Sequence, residues 1–168
     1  ILSIFFTPMT EEFGWSRTQF SGATRLGAIL GAALAPLTGR LVDRIGSRIL
    51  LSTGGLAVAI SCFYLASAQT LAGFYVAFAI ARMADQGLIK AGALPAVGKW
   101  FHRYRGRAVA LVFFAGSAGI LVMAPVVQLV ISAWGWRAAW RVLGGLMLLG
   151  GVVPSALLVR RQPEDMGL

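Results

Sequence analysis

Four residues able to do chemistry stand close together in a chain otherwise poor in them: Arg82, Asp85, Gln86 and Lys90. An uncharged run, 49–81, precedes them and another, 91–98, follows. On a regular helix turning about 100° per residue they project within an arc of about 140°. Two cations, a carboxylate and an amide on one face can act in more than one way. In one reading Arg82 binds an anion or modulates Asp85, and Asp85 exchanges a proton. In the other, Arg82 and Asp85, three residues apart, neutralise each other and fix helix packing. Lys90 has no opposite charge four residues away on either side. It is a second anion-site candidate, or it snorkels along its apolar stem towards an interface. Arg25, alone in another apolar run, is a pathway residue or a second snorkelling one.

Other chemistries lack their residues. The only cysteine is Cys62 and the only histidine His102, so an internal disulfide and multi-Cys or His-rich metal sites are excluded. No nucleophile, metal or paired-acid constellation suggests an enzyme, and no cofactor or metal is expected. Among the charges in apolar runs, three bases (Arg25, Arg82, Lys90) face one acid, Asp85, which favours an anionic over a cationic ligand.

The elements that must position these residues follow from composition. The chain has 168 residues, 58% hydrophobic and 12% charged. A soluble domain carries roughly a quarter charged residues, and a disordered chain lacks such apolar mass. Crossing a bilayer core takes about 20 apolar residues in a helix. The runs predict five spans, about 18–40, 49–67, 71–98, 107–131 and 138–159, with 1–9 as part of a truncated first helix. On a span of 71–98, Arg82 and Asp85 fall near the midplane, and Lys90 lies about 10 Å towards one face. Charges at that depth cost roughly 2.5–3.5 kcal/mol or more each, so they face a cavity or a partner.

The net charge of +9 reads as orientation. Arg40, Arg44, Arg48, Lys99, Arg103, Arg105, Arg107, Arg160 and Arg161 fall in alternate loops; Arg17, Arg137 and Arg141 fall on the other side with Glu11 and Glu12. The positive-inside rule puts the first set, in loops 40–48, 99–107 and 160–168, in the cytoplasm of a multi-pass plasma (bacterial inner) membrane protein. A nucleic-acid surface would gather its basic residues on one soluble face, so no nucleic-acid partner is expected. The five tryptophans, Trp15, Trp100, Trp134, Trp136 and Trp140, sit at span ends, as in an aromatic belt.

Small residues recur every four positions at Ala23, Gly27, Gly31, Ala35 and Gly39, a pattern that lets helices approach closely in lipid. Gly116, Gly119 and Pro125 suggest packing and bending in a later span.

Between the second and third helices, Gly39-Arg40-Leu41-Val42-Asp43-Arg44-Ile45-Gly46-Ser47-Arg48 resembles the G-x-L-x-D-R-x-G-x-R signature of the major facilitator superfamily. Physically, Gly39 would end the helix, Asp43 could cap or pair locally, and the arginines could anchor to anionic headgroups. The resemblance implies more. Gly39, Leu41, Asp43, Arg44, Gly46 and Arg48 would form a conformational latch, with Asp43 facing a helix N-terminus of a second half. Arg82-Met83-Ala84-Asp85-Gln86-Gly87 lies where the family often carries an arginine-to-glycine motif, here one residue longer. Glu12-Phe13-Gly14-Trp15 and residues 100–108 are similar to the monocarboxylate and oxalate/formate porters, although Arg107 and Ala110 replace a typical leucine and glycine.

The implied fold is an all-α membrane bundle of six helices in two inverted three-helix repeats. Residues 1–159 would be the N-terminal half-domain and 160–168 the start of a linker. The implied function is secondary transport of a small organic anion such as a monocarboxylate, coupled to protons or by exchange. Its partners would be lipids, the substrate and a C-terminal six-helix half. Drug or sugar transport, or a membrane scaffold that transports nothing, are the alternatives.

Overall fold

The computed structural model describes residues 2–90, 93, 97 and 104–159, all of whose regular elements are helical. Helix α1 spans Leu2–Phe13, α2 Arg17–Ile45, α3 Ser47–Ser67 and α4 Leu71–Met83. Helix α4 continues into a π-helical segment, Ala84–Lys90. Helix α5 covers Arg105–Leu146, followed by a second π-helical segment, Met147–Val152, and a short α6, Val153–Leu158.

Three glycines with positive φ make the joints: Gly14 (67°), Gly46 (82°) and Gly135 (82°). A Cβ is strained in that conformation. Gly46 corrects one expectation. The second helix does not end at Gly39 but runs through the signature to Ile45, and Gly46 alone turns the chain into α3. The side chains of Asp43 and Arg44 lie outside the described residues, as do residues 98–103 and 160–168. Helix α4 starts at a cap, where the Thr70 hydroxyl accepts a hydrogen bond from the Gly73 amide.

Two helical runs among the described residues are long and apolar enough to cross a membrane, Ser47–Ser67 and Gly106–Leu157. The second has 52 residues. A straight helix of that length would measure about 78 Å against a hydrocarbon core of about 30 Å. Gly135, non-helical at φ 82° and ψ 168°, divides the run into two rods, while the helix passes through Pro125.

Helix α2 packs chiefly on α4, α3 on α5 and α4, and α1 on α5. An aromatic core ties them together. Phe5 stacks on Trp140 at 4.2 Å, Phe20 on Phe74 at 5.0 Å and Phe74 on Phe78 at 5.6 Å. Trp136 and Trp140 are buried in this core, which corrects their expected place in an interfacial belt; Trp134 is exposed. Their rings fill space between α1 and α5 that smaller side chains would leave void. Conversely, Ile29, Leu111, Phe114, Leu121 and Leu129 are exposed on the outside. An apolar exterior of this extent suits lipid or another helical surface and not water.

Candidate functional site

The charged stretch that continues α4 departs from a regular α-helix. From Ala84 to Lys90 the backbone is π-helical, a rare form that recurs at functional sites. Its wider turn swings residues five apart towards one face, where a regular α-helix would leave them about 140° apart. Lys90 therefore reaches Asp85: its Nζ lies 3.1 Å from Asp85 Oδ2. Arg82 Nη1 approaches the same oxygen at 3.7 Å. This corrects the expectation that Lys90 is unpaired, which assumed a regular α-helical step past Met83.

Two cations thus converge on one carboxylate oxygen, leaving a net positive charge. The Arg82 and Asp85 side chains are 32% and 34% exposed and that of Lys90 59%. Ion pairs this accessible contribute about 0–1 kcal/mol, too little to be what holds α4 in place. Arg82 Nε is buried without a hydrogen-bond partner among the described residues, so the guanidinium keeps a donor in reserve.

Glycines on the neighbouring helices bring backbone against this stretch. A Cβ on Gly27 would stand 2.6 Å from Arg82 Cβ and 3.2 Å from Ala79 Cα. One on Gly31 would stand 2.9 Å from Gln86 Cβ. From α3, a Cβ on Gly54 would stand 2.8 Å from Leu88 Cβ. Gln86 is thus held at the α2 contact beside Arg82. Arg25, two residues before Gly27, is exposed on α2 and makes no ion pair among the described residues. Gly116 and Gly119 differ from Gly27 and Gly31: nothing lies within 4 Å of a Cβ on either. Leu41 and Arg48 are exposed, and Gly46 is the turn residue already described. Among the described residues no group of His, Cys, Asp or Glu could hold a metal.

A second charged cluster, which sequence reasoning did not assemble, lies at the far end of the bundle. Glu12 Oε2 accepts hydrogen bonds from Trp136 Nε1 at 2.6 Å and Arg137 Nη1 at 3.0 Å. Its Oε1 lies 2.7 Å from Arg137 Nη2, completing a two-pronged pair. The Arg137 guanidinium also stacks over the Trp136 ring at 4.3 Å. The Arg137 and then the Trp136 hydrogen bonds hold the Glu12 carboxyl below its ordinary value, against a smaller opposing effect of burial. The available signal was the repeated Gly-Trp pair: Gly14-Trp15 follows Glu12, and Gly135-Trp136 precedes Arg137. Both glycines adopt positive φ, which turns the chain so that the two ends meet.

The sequence profile of the Major Facilitator Superfamily matches residues 1–168. Monocarboxylate transporter 11 of Homo sapiens is 28% identical over 147 residues, which is 88% of this chain and 31% of the relative. Monocarboxylate transporter 12 of Mus musculus is 28% identical over 148 residues, 88% of this chain and 30% of the relative. Monocarboxylate transporter 3 of Mus musculus is 27% identical over 149 residues, again 88% and 30%. The chain therefore spans about a third of the length of these relatives.

Proposed function

Because the chain belongs to the Major Facilitator Superfamily, we propose that it is the N-terminal six-helix half of a secondary transporter for small organic anions of the monocarboxylate class. The half would sit in the plasma membrane with loops 40–48, 99–107 and 160–168 cytoplasmic, surrounded by lipid. It would rock against a C-terminal half of the same polypeptide, giving alternating access to a site between them. In this reading Arg82 and Lys90 attract the carboxylate, Gln86 offers an amide beside them, and Asp85 exchanges a proton or trades its partner for the substrate. Arg25 belongs to the approach to the site, and the loop around Gly46 works as the latch. The similarity to monocarboxylate transporters supports the substrate class.

The observation that carries the proposal is the shared Asp85 oxygen. A carboxylate bridged by two partly exposed cations can release either one to an incoming anion at little cost, because each exposed pair is weak. A salt pair built for packing alone would need only one cation. The test is uptake by the full-length protein in proteoliposomes, with radiolabelled lactate, pyruvate and acetate against a hexose and a cationic drug. Saturable carboxylate uptake is expected. Uptake of the hexose or the drug without the carboxylates would overturn the substrate class, and no uptake of any of them would overturn transport.

A further inference from the structure

A cleft of about 600 Å³ opens between α1 and the start of α2, apart from the Asp85 cluster. Helix α1 contributes Ser3, Phe6 and Thr7, and α2 contributes Arg17, Phe20 and Thr24. Each set follows helical spacing, so each forms one face. The two phenylalanines meet edge to face at 5.4 Å and make an apolar floor. Arg17 lies over the Phe6 ring at 5.1 Å, so the ring holds the guanidinium at the cleft. Among the described residues Arg17 has no carboxylate partner: Glu12 is committed to Arg137. The hydroxyls of Ser3, Thr7 and Thr24 make no hydrogen bond among the described residues and are open to a ligand.

An unpaired guanidinium, open hydroxyl donors and an aromatic floor select one chemistry, a carboxylate attached to an apolar body. The carboxylate would take the two-pronged guanidinium and a hydroxyl, and the body would lie on Phe6 and Phe20. The cleft also leads somewhere. Thr24 is three residues, about 4.5 Å along the axis, from Gly27, which abuts Arg82.

We infer that the α1–α2 cleft is a second binding site for apolar carboxylates, where Arg17 captures the anion before it passes along α2 to Arg82. The route to Arg82 rests on the transport reading above; the site itself does not. It is tested on the purified full-length protein with benzoate as the probe. Phenylglyoxal modifies accessible arginines, and peptide mass spectrometry reads Arg17 separately. Saturating benzoate should slow Arg17 modification about fivefold or more. Thr7→Val, a change at an exposed position, should raise the half-protecting concentration about tenfold or more by removing one hydrogen bond to a charged group. In transport, Arg17→Gln should raise KM about tenfold with Vmax unchanged, and Arg17→Lys should recover part of the loss.

Arg17 modified at the same rate with and without benzoate would overturn the inference. So would an Arg17 already shielded in the ligand-free protein, because the rest of the polypeptide would then fill the cleft. Carboxylate uptake without Arg17 protection discards the site and keeps the transporter. Protection without uptake keeps the site and discards the transporter.

Discussion

The two charged clusters use the same ingredients to opposite ends. At the α1–α5 junction Glu12 engages both its oxygens with three short contacts from residues 124 and 125 positions away. On α4, Asp85 shares one oxygen between two cations, both within five residues of it on the same helix. The first cluster ties distant chain segments and is satisfied. Among the described residues the second ties nothing distant, and it leaves Arg82 Nε buried without a hydrogen-bond partner. Separation in sequence, and not charge, divides them: a pair that bridges helices resists their movement, whereas one confined to a helix can rearrange without moving it. Glu12 should therefore matter to stability and little to transport, and Asp85 the reverse.

The largest effect expected is that of Asp85→Asn. It removes the charge that both cations share and the group that could exchange a proton. Uptake by the full-length protein should fall about 100-fold, the lower end of what a proton-transferring group contributes. Thermal unfolding should barely change, because the pairs lost are exposed and weak. Wild-type uptake with an unchanged pH dependence would refute a coupling role. A fall in melting temperature larger than that of a Glu12 variant would give Asp85 a structural role.

Next in size is Gly27→Ala. The new methyl would lie 2.6 Å from Arg82 Cβ and 3.2 Å from backbone at Ala79, neither of which is the free end of a flexible chain. Helices α2 and α4 would have to separate, at about 1–3 kcal/mol, and Arg82 would shift with them. Melting temperature and uptake should both drop. Gly116→Ala is the matched control, since nothing lies within 4 Å of its Cβ, and replacing a mid-helix glycine gains roughly 0.5–1 kcal/mol. An equal loss for both in the full-length protein would mean that the remainder of the polypeptide packs against Gly116.

These residues also mark what could be read before the fold was known. Arg82, Asp85, Gln86 and Lys90 announced themselves because charge in an apolar run has no cheap explanation. The small-residue stripe from Ala23 to Gly39 carried a period that survives in any helix. The contact between Asp85 and Lys90 did not, because it depends on a π-helical register that nothing in Ala-Asp-Gln-Gly-Leu-Ile-Lys declares. The end of α2 was misplaced at Gly39, because a glycine marks a helix end only where the backbone turns, as the positive φ at Gly46 shows. The Glu12 clamp was furthest out of reach. Its partners lie more than 120 residues apart, and their meeting depends on how α1 and α5 pack.

The smallest effect, and the one that completes the contrast, is that of Glu12→Gln. A glutamine can still accept from Trp136 Nε1, but it presents an amide to Arg137 in place of the second oxygen. An exposed ion pair contributes about 0.2–1 kcal/mol, so the melting temperature should fall by no more than a few degrees. Uptake should stay within about twofold of wild type, because the clamp ties α1 to α5 apart from the Asp85 cluster. The difference should itself depend on pH, with a fixed sign. The folded-state pKa of Glu12 is lowered, so its contribution is complete above the ordinary carboxylate value of 4.5 and is lost as pH falls below it. Melting curves of the two proteins should therefore be separate at pH 7 and converge as the pH falls well below 4.5. Separation that persists there would mean that the clamp acts through the Trp136 hydrogen bond and the ring stacking, and not through the charge of Glu12.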